Sequence, residues 1–338
     1  MNLEMNSFNL PLSHIYVEKG IKDNPLTEFI LNKYHKANVI EINHYKDVFS
    51  RQKQNIVNQR KSQALILARK EGELVYKGSP MCQDFDNENF YYTSCTMNCI
   101  FDCEYCYLKG MYPTSNIVVF VNIEEIFEEV SRLCKDRKIY LCVSYDTDLI
   151  ALDNLTNFVG KWVEFVSSEP NLTIEIRTKS HRKDIYDKLI PNSRVIFAYT
   201  MSPEEVINEY EHKTASLKDR IDAADYAISK GFTVRLCFDP MIYCKDFKTQ
   251  YENMVNMVFN KISCQKIRDI SVGSFRISSD YLKVMRHKMP DSAICQFPFE
   301  TVDGICTFPS KIKMQMEEHL IRCLTKYIDE SKIFRADY

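Results

Sequence analysis

Short apolar runs recur along the chain, separated by stretches whose apolar positions repeat at helical spacing. FYYT (90–93), KIYLCVSY (138–145), LTIEIRT (172–178), RVIFAYT (194–200), TVRLCF (233–238) and DISVGSF (269–275) read as strands. Between and after them, IEEIFEEVSRLCKD, LTNFVGKWVEFVSS, KDIYDKL, SLKDRIDAADYAISKG, NMVNMVFNKI and DYLKVMRHK read as helices. Alternation of this kind predicts an α/β fold with parallel strands, most simply a partial (βα)6 barrel of TIM type. Residues 1–80 precede it as an α/β extension, with a helical stretch near Thr27 to Tyr34, a strand NVIEINHY, and a hairpin QALILARKEGELVYKG turning at Glu71 and Gly72. IVVFVN (117–122) is an additional strand. After the barrel (81–290), residues 291–338 add a hairpin turning at Asp303 and Gly304 and an amphipathic helix from Lys311 to about Tyr327, packed on the barrel. Without repeats or low-complexity linkers, one domain with appended ends is expected.

Composition narrows the partners. The 44 Lys+Arg and 46 Asp+Glu of the 338 residues leave a net charge of −2, so no global field draws the chain to nucleic acid or an anionic membrane. A nucleic-acid contact must come from a local patch, and the densest acid-free one holds Arg51, Lys53, Arg60, Lys61, Arg69 and Lys70. The 8 glycines form neither G-x-G-x-x-G nor G-x-x-x-x-G-K-[ST], which removes the two usual phosphate cradles. No apolar run approaches the roughly 18 residues of a spanning helix, and MNLEMNSFNLPLSHIYVEKG lacks a basic start followed by an apolar stretch. No membrane partner and a cytoplasmic location are expected.

Cysteine is the anomaly, with 13 in the chain. In a reducing compartment these thiols are free, metal-bound or redox-active. Nine are scattered and read as small buried hydrophobes. Cys95, Cys99, Cys103 and Cys106 fall together in SCTMNCIFDCEYCYLKGMY, directly after the first barrel strand, where the following loop lies at the catalytic mouth of this architecture. Cys99, Cys103 and Cys106 form Cys-x-x-x-Cys-x-x-Cys, which lets three thiolates wrap a four-iron cube and leaves one iron open to a small molecule. The other reading is a zinc site that also uses Cys95, although the run lacks the long spacer of such sites.

This loop, with Tyr105 just before its last cysteine, resembles that of radical S-adenosylmethionine (SAM) enzymes. CEYCYL, VNIEEIF, SYDTDLIALDNLT, RTKS and YTMSPEEVINEYEHKTASLKDRI follow in the order found in the spore photoproduct lyase family, and the resemblance covers roughly residues 80 to 338. It implies one 4Fe-4S cluster held by Cys99, Cys103 and Cys106, and SAM as the second cofactor. It implies a 5′-deoxyadenosyl radical that opens a methylene-linked thymine dimer in damaged DNA and re-forms SAM. A low-potential electron donor such as a flavodoxin or ferredoxin is implied too, and the spore interior as the location. Position by position, Tyr105 falls near the SAM adenosyl group and Tyr107 faces the radical and the lesion. Thr147, Lys179 and Thr200 fall where the family holds SAM from strand ends, and Arg276 falls toward the lesion.

The chain departs from the family at one place. Where family lyases carry the cysteine that quenches the product radical, upstream of the segment matched by ALDNLT, this chain has Tyr145. Cys142 is three residues upstream, and strand alternation points it to the opposite face from Tyr145. Cys82 and Cys237, the latter on the predicted face of Asp239, are other candidate thiols. Cys82 is taken as the donor, acting through Tyr107, because it lies on the segment leading into the cluster strand. Two alternatives stay open: a radical SAM enzyme of the same scaffold acting on a different substrate, and a non-catalytic iron-sulfur nucleic-acid-binding protein.

Overall fold

The computed structural model describes Phe8 and residues 11–336. Most of the first ten residues, read above for a leader, lie outside this set. β1 (His14–Glu18), β2 (Asn38–Ile42) and β3 (Leu65–Ala68) run parallel, with β1 in the middle. β4 (Tyr76–Lys77) and β5 (Phe90–Tyr92) pair antiparallel and begin a second sheet. Two short strands, β6 (Thr96–Met97) and β7 (Asp102–Cys103), lie within the cysteine loop, after which β8 (Ile117–Phe120) returns to the first sheet beside β3. The second sheet continues through β9 (Ile139–Cys142), β10 (Leu172–Thr178) and β11 (Val195–Thr200). β12 (Glu211–His212) pairs with β7, and β13 (Thr233–Met241) and β14 (Ile270–Ser274) extend the second sheet. β15 (Arg276–Ser278), β16 (Glu300–Val302) and β17 (Ile305–Thr307) make a small antiparallel sheet, and β18 (Ile333–Arg335) edges the second sheet beside β14.

The order β18-β14-β13-β11-β10-β9-β5-β4 contains the six strands expected from the sequence, adjacent, in chain order and mutually parallel. The arc stays open, with β4 and β18 at its edges. Alternation along β10 explains its two faces. Leu172, Ile174 and Ile176 are fully buried in the main core, each worth about 1.5–3 kcal/mol. Glu175 and Arg177 turn to the concave side. The first crossover helix, Ile123–Cys134, buries Ile123, Ile126, Val130 and Cys134 along one stripe. Asp303 (φ 49°) and Gly304 (φ 78°) make the two-residue turn of the β16–β17 hairpin, where two left-handed positions match the strand twist.

The structure corrects two local expectations. QALILARKEGELVYKG turns at Gly72 (φ 77°) but is no hairpin, because its arms enter different sheets. Leu65–Ala68 is buried at every position and requires neighbours on both sides, which β1 and β8 supply. KDIYDKL forms turns instead of a helix, being too short to offset helix nucleation before Pro191. The β10–β11 crossover therefore lacks a helix. β8 gives the sheet of the lead-in segment a strand from beyond residue 80. Among the described residues no helix is long and apolar enough to cross a membrane.

The short helix Leu108–Met111, which ends the cysteine loop, packs on the helix Ser279–Lys288 through Gly110. A Cβ at Gly110 would lie 2.6 Å from the Tyr281 carbonyl oxygen. Gly110→Ala is expected to lose about 1–3 kcal/mol by forcing the helices apart. Denaturant unfolding checks this, and an unchanged midpoint would show that the contact yields freely.

Candidate active site

The concave face of the second sheet and the cysteine loop enclose a cavity of about 520 Å³, within the size range of small-molecule sites. Cys99, Cys103 and Cys106 line it, as do Tyr105 and Tyr107. So do Thr147, Lys179 and Thr200 at strand ends, and Cys82, Tyr145 and Arg276. Cys95 does not line it: this thiol is fully buried and directed at the Val143 carbonyl. A four-cysteine site including Cys95 therefore does not form. Among the described residues no group of three His, Cys, Asp or Glu side chains is placed to hold a single metal ion.

The loop is held with its carbonyls outward and its thiols inward. Arg60 Nη1 donates to the carbonyls of Cys99 (2.8 Å) and Phe101 (2.9 Å), and Lys213 Nζ donates to the Arg60 carbonyl at 3.0 Å. Asn98, in left-handed conformation (φ 68°), donates to the Thr114 and Asn116 carbonyls. Pairing of β7 with β12 fastens the far side, opposing Cys103 to Glu211. Burial pushes the Cys99 and Cys103 thiols up, with Lys179 opposing it at Cys103. The positive charge of bound iron is what would convert them to thiolates.

A buried charge cluster fixes the wall next to the thiols. Glu211 accepts from the Tyr105 hydroxyl, from Ser202 Oγ at 2.9 Å and from the Arg220 guanidinium, and Lys179 Nζ lies 3.8 Å away. Lys179 Nζ also sits 5.2 Å from the centre of the Tyr105 ring. Burial pushes Glu211 up, but Arg220 and Lys179 outweigh it and hold the carboxyl at about 2. Asp148 caps the helix Leu149–Thr156 through Ala151 N (3.0 Å) and accepts from Lys179 N (2.8 Å), so it fixes the ends of β9 and β10 relative to each other. Thr147 Oγ1 is buried at the cavity with no hydrogen-bond partner in the chain, as a group kept for a ligand would be.

The opposite wall carries thiol and phenols. The Cys82 thiol donates to the Tyr145 hydroxyl at 3.7 Å, and Tyr92 stacks on Tyr145 with ring centres 4.0 Å apart. Tyr107 Oη donates to the Tyr145 carbonyl at 2.7 Å and lies 3.3 Å from Asp146. Cys82 therefore contacts Tyr145 directly. Cys142 also lines the cavity, on the same side as Tyr145. β9 ends at Cys142, so alternation does not carry to Tyr145, three residues on. Cys237 is fully buried and is not part of the cavity wall.

The basic stretch is divided. Arg60 and Lys70 turn inward, Lys70 Nζ donating to the Ser94 carbonyl at 3.1 Å, and Arg69 pairs with Glu125 at 2.7 Å. Arg51, Lys53 and Lys61 remain exposed. Asp148, Glu211, Asp239 and Arg177 were not singled out as site residues. The signal available for the carboxylates was an acidic residue one to three positions beyond a predicted strand or inside EHKTAS, which is weak without the fold.

A family model for spore photoproduct lyase matches residues 11–295. A protein of Clostridium acetobutylicum named spore photoproduct lyase is 23% identical over 250 residues, covering 70% of this chain and 73% of that protein. Its namesake from Bacillus subtilis strain 168 is 24% identical over 176 residues, covering 51% of this chain and 50% of that protein. Among solved structures, a spore photoproduct lyase variant superposes with a TM-score of 0.82 at 16% identity, over 97% of this chain and 99% of that one. A double variant with bound AdoMet and dinucleoside spore photoproduct gives 0.81 at 17% identity, over 97% of this chain and 100% of that one.

The low Glu211 value has a sign that can be measured. Its stabilising effect is complete above the ordinary carboxyl value of 4.5 and is lost as pH falls toward 2, about 3 kcal/mol in all. Glu211→Gln leaves Arg220 buried without a carboxylate and is expected to cost about 3–5 kcal/mol at pH 7. Urea unfolding at pH 7 and pH 3 should show the gap to wild type narrowing at the lower pH, and an equal gap at both would mean the pair contributes little.

Proposed function

The chain belongs to the spore photoproduct lyase family, and we propose that it reverses the methylene-linked thymine dimer of damaged DNA to two thymines as a radical SAM carbon–carbon lyase. The observation that carries this reading is the meeting, in one cavity, of three loop thiols, a polar wall of strand-end residues and a thiol–phenol contact. Cys99, Cys103 and Cys106 would hold the 4Fe-4S cluster. Tyr105, with its hydroxyl tied to Glu211, and Lys179 beside its ring would line the SAM site, where Thr147 and Thr200 offer hydroxyls. When bound, these groups supply an electron and a primary-carbon radical.

The remaining work falls to the chain's own residues. The lesion must leave the duplex to reach the cavity, and exposed Arg51, Lys53 and Lys61 are available to the flanking phosphates. Arg276 lines the same cavity at the end of the arc. After crosslink scission, the Cys82 S–H bond breaks and a C–H bond forms on the thymine radical. The Tyr145 hydroxyl, in contact with the sulfur, re-forms the S–H bond with its hydrogen atom, and the phenoxyl radical left there would regain one from the methyl group of 5′-deoxyadenosine, with the Tyr107 ring 6.0 Å away. A flavodoxin or ferredoxin is the reductant this chemistry calls for, in the cell or spore interior. A second reading, the same chemistry on another substrate, is favoured by Tyr145 standing where family lyases have a cysteine.

Single alanine variants of Cys99, Cys103 and Cys106 are expected to lose iron on anaerobic reconstitution, whereas Cys95→Ala keeps it; loss from Cys95→Ala would refute the ligand set. Reduced enzyme given SAM and a synthetic spore-photoproduct dinucleotide should release thymine. Formation of 5′-deoxyadenosine without thymine would favour the second reading. Cys82→Ala should still break the crosslink but divert product into adducts with the reductant, and diversion in Cys142→Ala instead would move the donor to β9.

A further inference from the structure

Cys82 lies in a turn that belongs to no sheet. Its own amide donates to the Ser79 carbonyl at 2.9 Å, and Met81 N donates to Ser79 Oγ at 3.2 Å. Two distant elements tie this turn to the barrel. Gln83 Nε2 donates to the Arg335 carbonyl of β18 at 2.8 Å, and Arg276 Nε donates to the Met81 carbonyl at 2.8 Å. The second tie bridges 195 positions of sequence and ends one residue from the thiol.

Arg276 is itself oriented by Asp239. Nη1 donates to Oδ1 at 2.9 Å and Nη2 to Oδ2 at 3.2 Å, a fork-to-fork pair that fixes the guanidinium plane, and Nη1 also reaches the Ser274 carbonyl at 3.2 Å. Room for this pair comes from Gly273. A Cβ there would stand 3.0 Å from Arg276 Nη1, 3.2 Å from Asp239 Cγ and 2.9 Å from Ala336 Cβ. Arg177 Nη1 lies 3.8 Å from the same carboxylate, so Asp239 keeps a cation if Arg276 is replaced.

We propose that Arg276, oriented by Asp239, is a positioning residue that holds the Met81–Cys82 turn so that the Cys82 sulfur meets the Tyr145 hydroxyl. The proposal rests on Cys82 as hydrogen donor. Atom transfer needs the sulfur in contact with its partners, and a displacement of about 1 Å can cost a hundredfold in rate. The committed fork also separates this role from lesion binding. A guanidinium used mainly for the lesion would affect substrate affinity, whereas a clamp on the turn affects where the thiol points.

The test compares Arg276→Gln, Arg276→Lys and Asp239→Asn with wild type in the full-length protein. In the resting protein without cofactors, alkylation of Cys82 by iodoacetamide, followed by mass spectrometry against Cys142 as internal reference, is expected to accelerate about tenfold in Arg276→Gln and Asp239→Asn. Arg276→Lys, whose ammonium lacks the fork needed to serve Asp239 and Met81 together, should lie between. In the reconstituted enzyme, Arg276→Gln should shift product from thymine to reductant adduct with little change in KM for the dinucleotide. Unchanged alkylation together with a many-fold higher KM and clean thymine would overturn the proposal and make Arg276 a lesion contact. If Arg276→Gln does not fold, Arg276→Lys carries both readouts. Clean thymine from Cys82→Ala would refute the donor reading alone, because the alkylation measurement decides the clamp without turnover.

Discussion

Glu175 and Arg235 meet at 2.6 Å across the concave face of the sheet, almost wholly shielded from water, and Asp269 holds the other side of the same guanidinium. An unpaired charge at such a place would cost several kcal/mol, so each has to be matched where it stands. The same requirement recurs around the arc, where Arg177 and Arg276 converge on Asp239 while Arg220 and Lys179 converge on Glu211. Each match joins residues from different elements. The polar interior thus ties the sheet together from inside as the apolar helices do from outside, and Thr147 Oγ1 is left unmatched at the cavity.

The cysteine loop depends on this interior and on the lead-in segment equally. Arg60 comes from the lead-in segment and reaches the carbonyls of Cys99 and Phe101, whereas β12 comes from beyond β11 and pairs with β7 at Cys103. A loop held on both sides keeps three thiols directed into one space before any ligand arrives, which reduces the ordering cost of binding. The first sheet is therefore more than an appendage: through Arg60, Gln63 and Lys70 it forms the back wall of the loop and the strand before it.

The thiol–phenol wall is arranged differently. Cys82 lies outside any regular strand, Tyr145 follows the end of β9, and Tyr92 stacks on it from the end of β5. Strand ends fan apart at the mouth of an open arc, and large side chains from neighbouring ends fill the space between them. The tyrosine at position 145 lengthens the reach of that strand end. That reach brings its hydroxyl to a thiol carried by another segment.

The six arc strands were legible in the sequence because strand periodicity and strand–helix alternation are local properties that parallel burial reinforces. That Cys99, Cys103 and Cys106 line one cavity was legible for the same reason, since the residues of one short loop stay near each other. At the β3–β4 segment, KDIYDKL and Cys142 the neighbours outweigh the local pattern: β3 lies between two strands, a crossover is cut short by Pro191, and a strand ends at Cys142, three residues before Tyr145. The inward turn of Arg60 and Lys70, the Glu211 cluster and the Arg276–Met81 tie had no sequence signal, because their partners lie between 9 and 195 positions away. Residue types and spacing by themselves determined which groups are available for chemistry. Only the folded chain decided which of them meet, since a buried charge or thiol takes its partner from whatever the packing brings within reach.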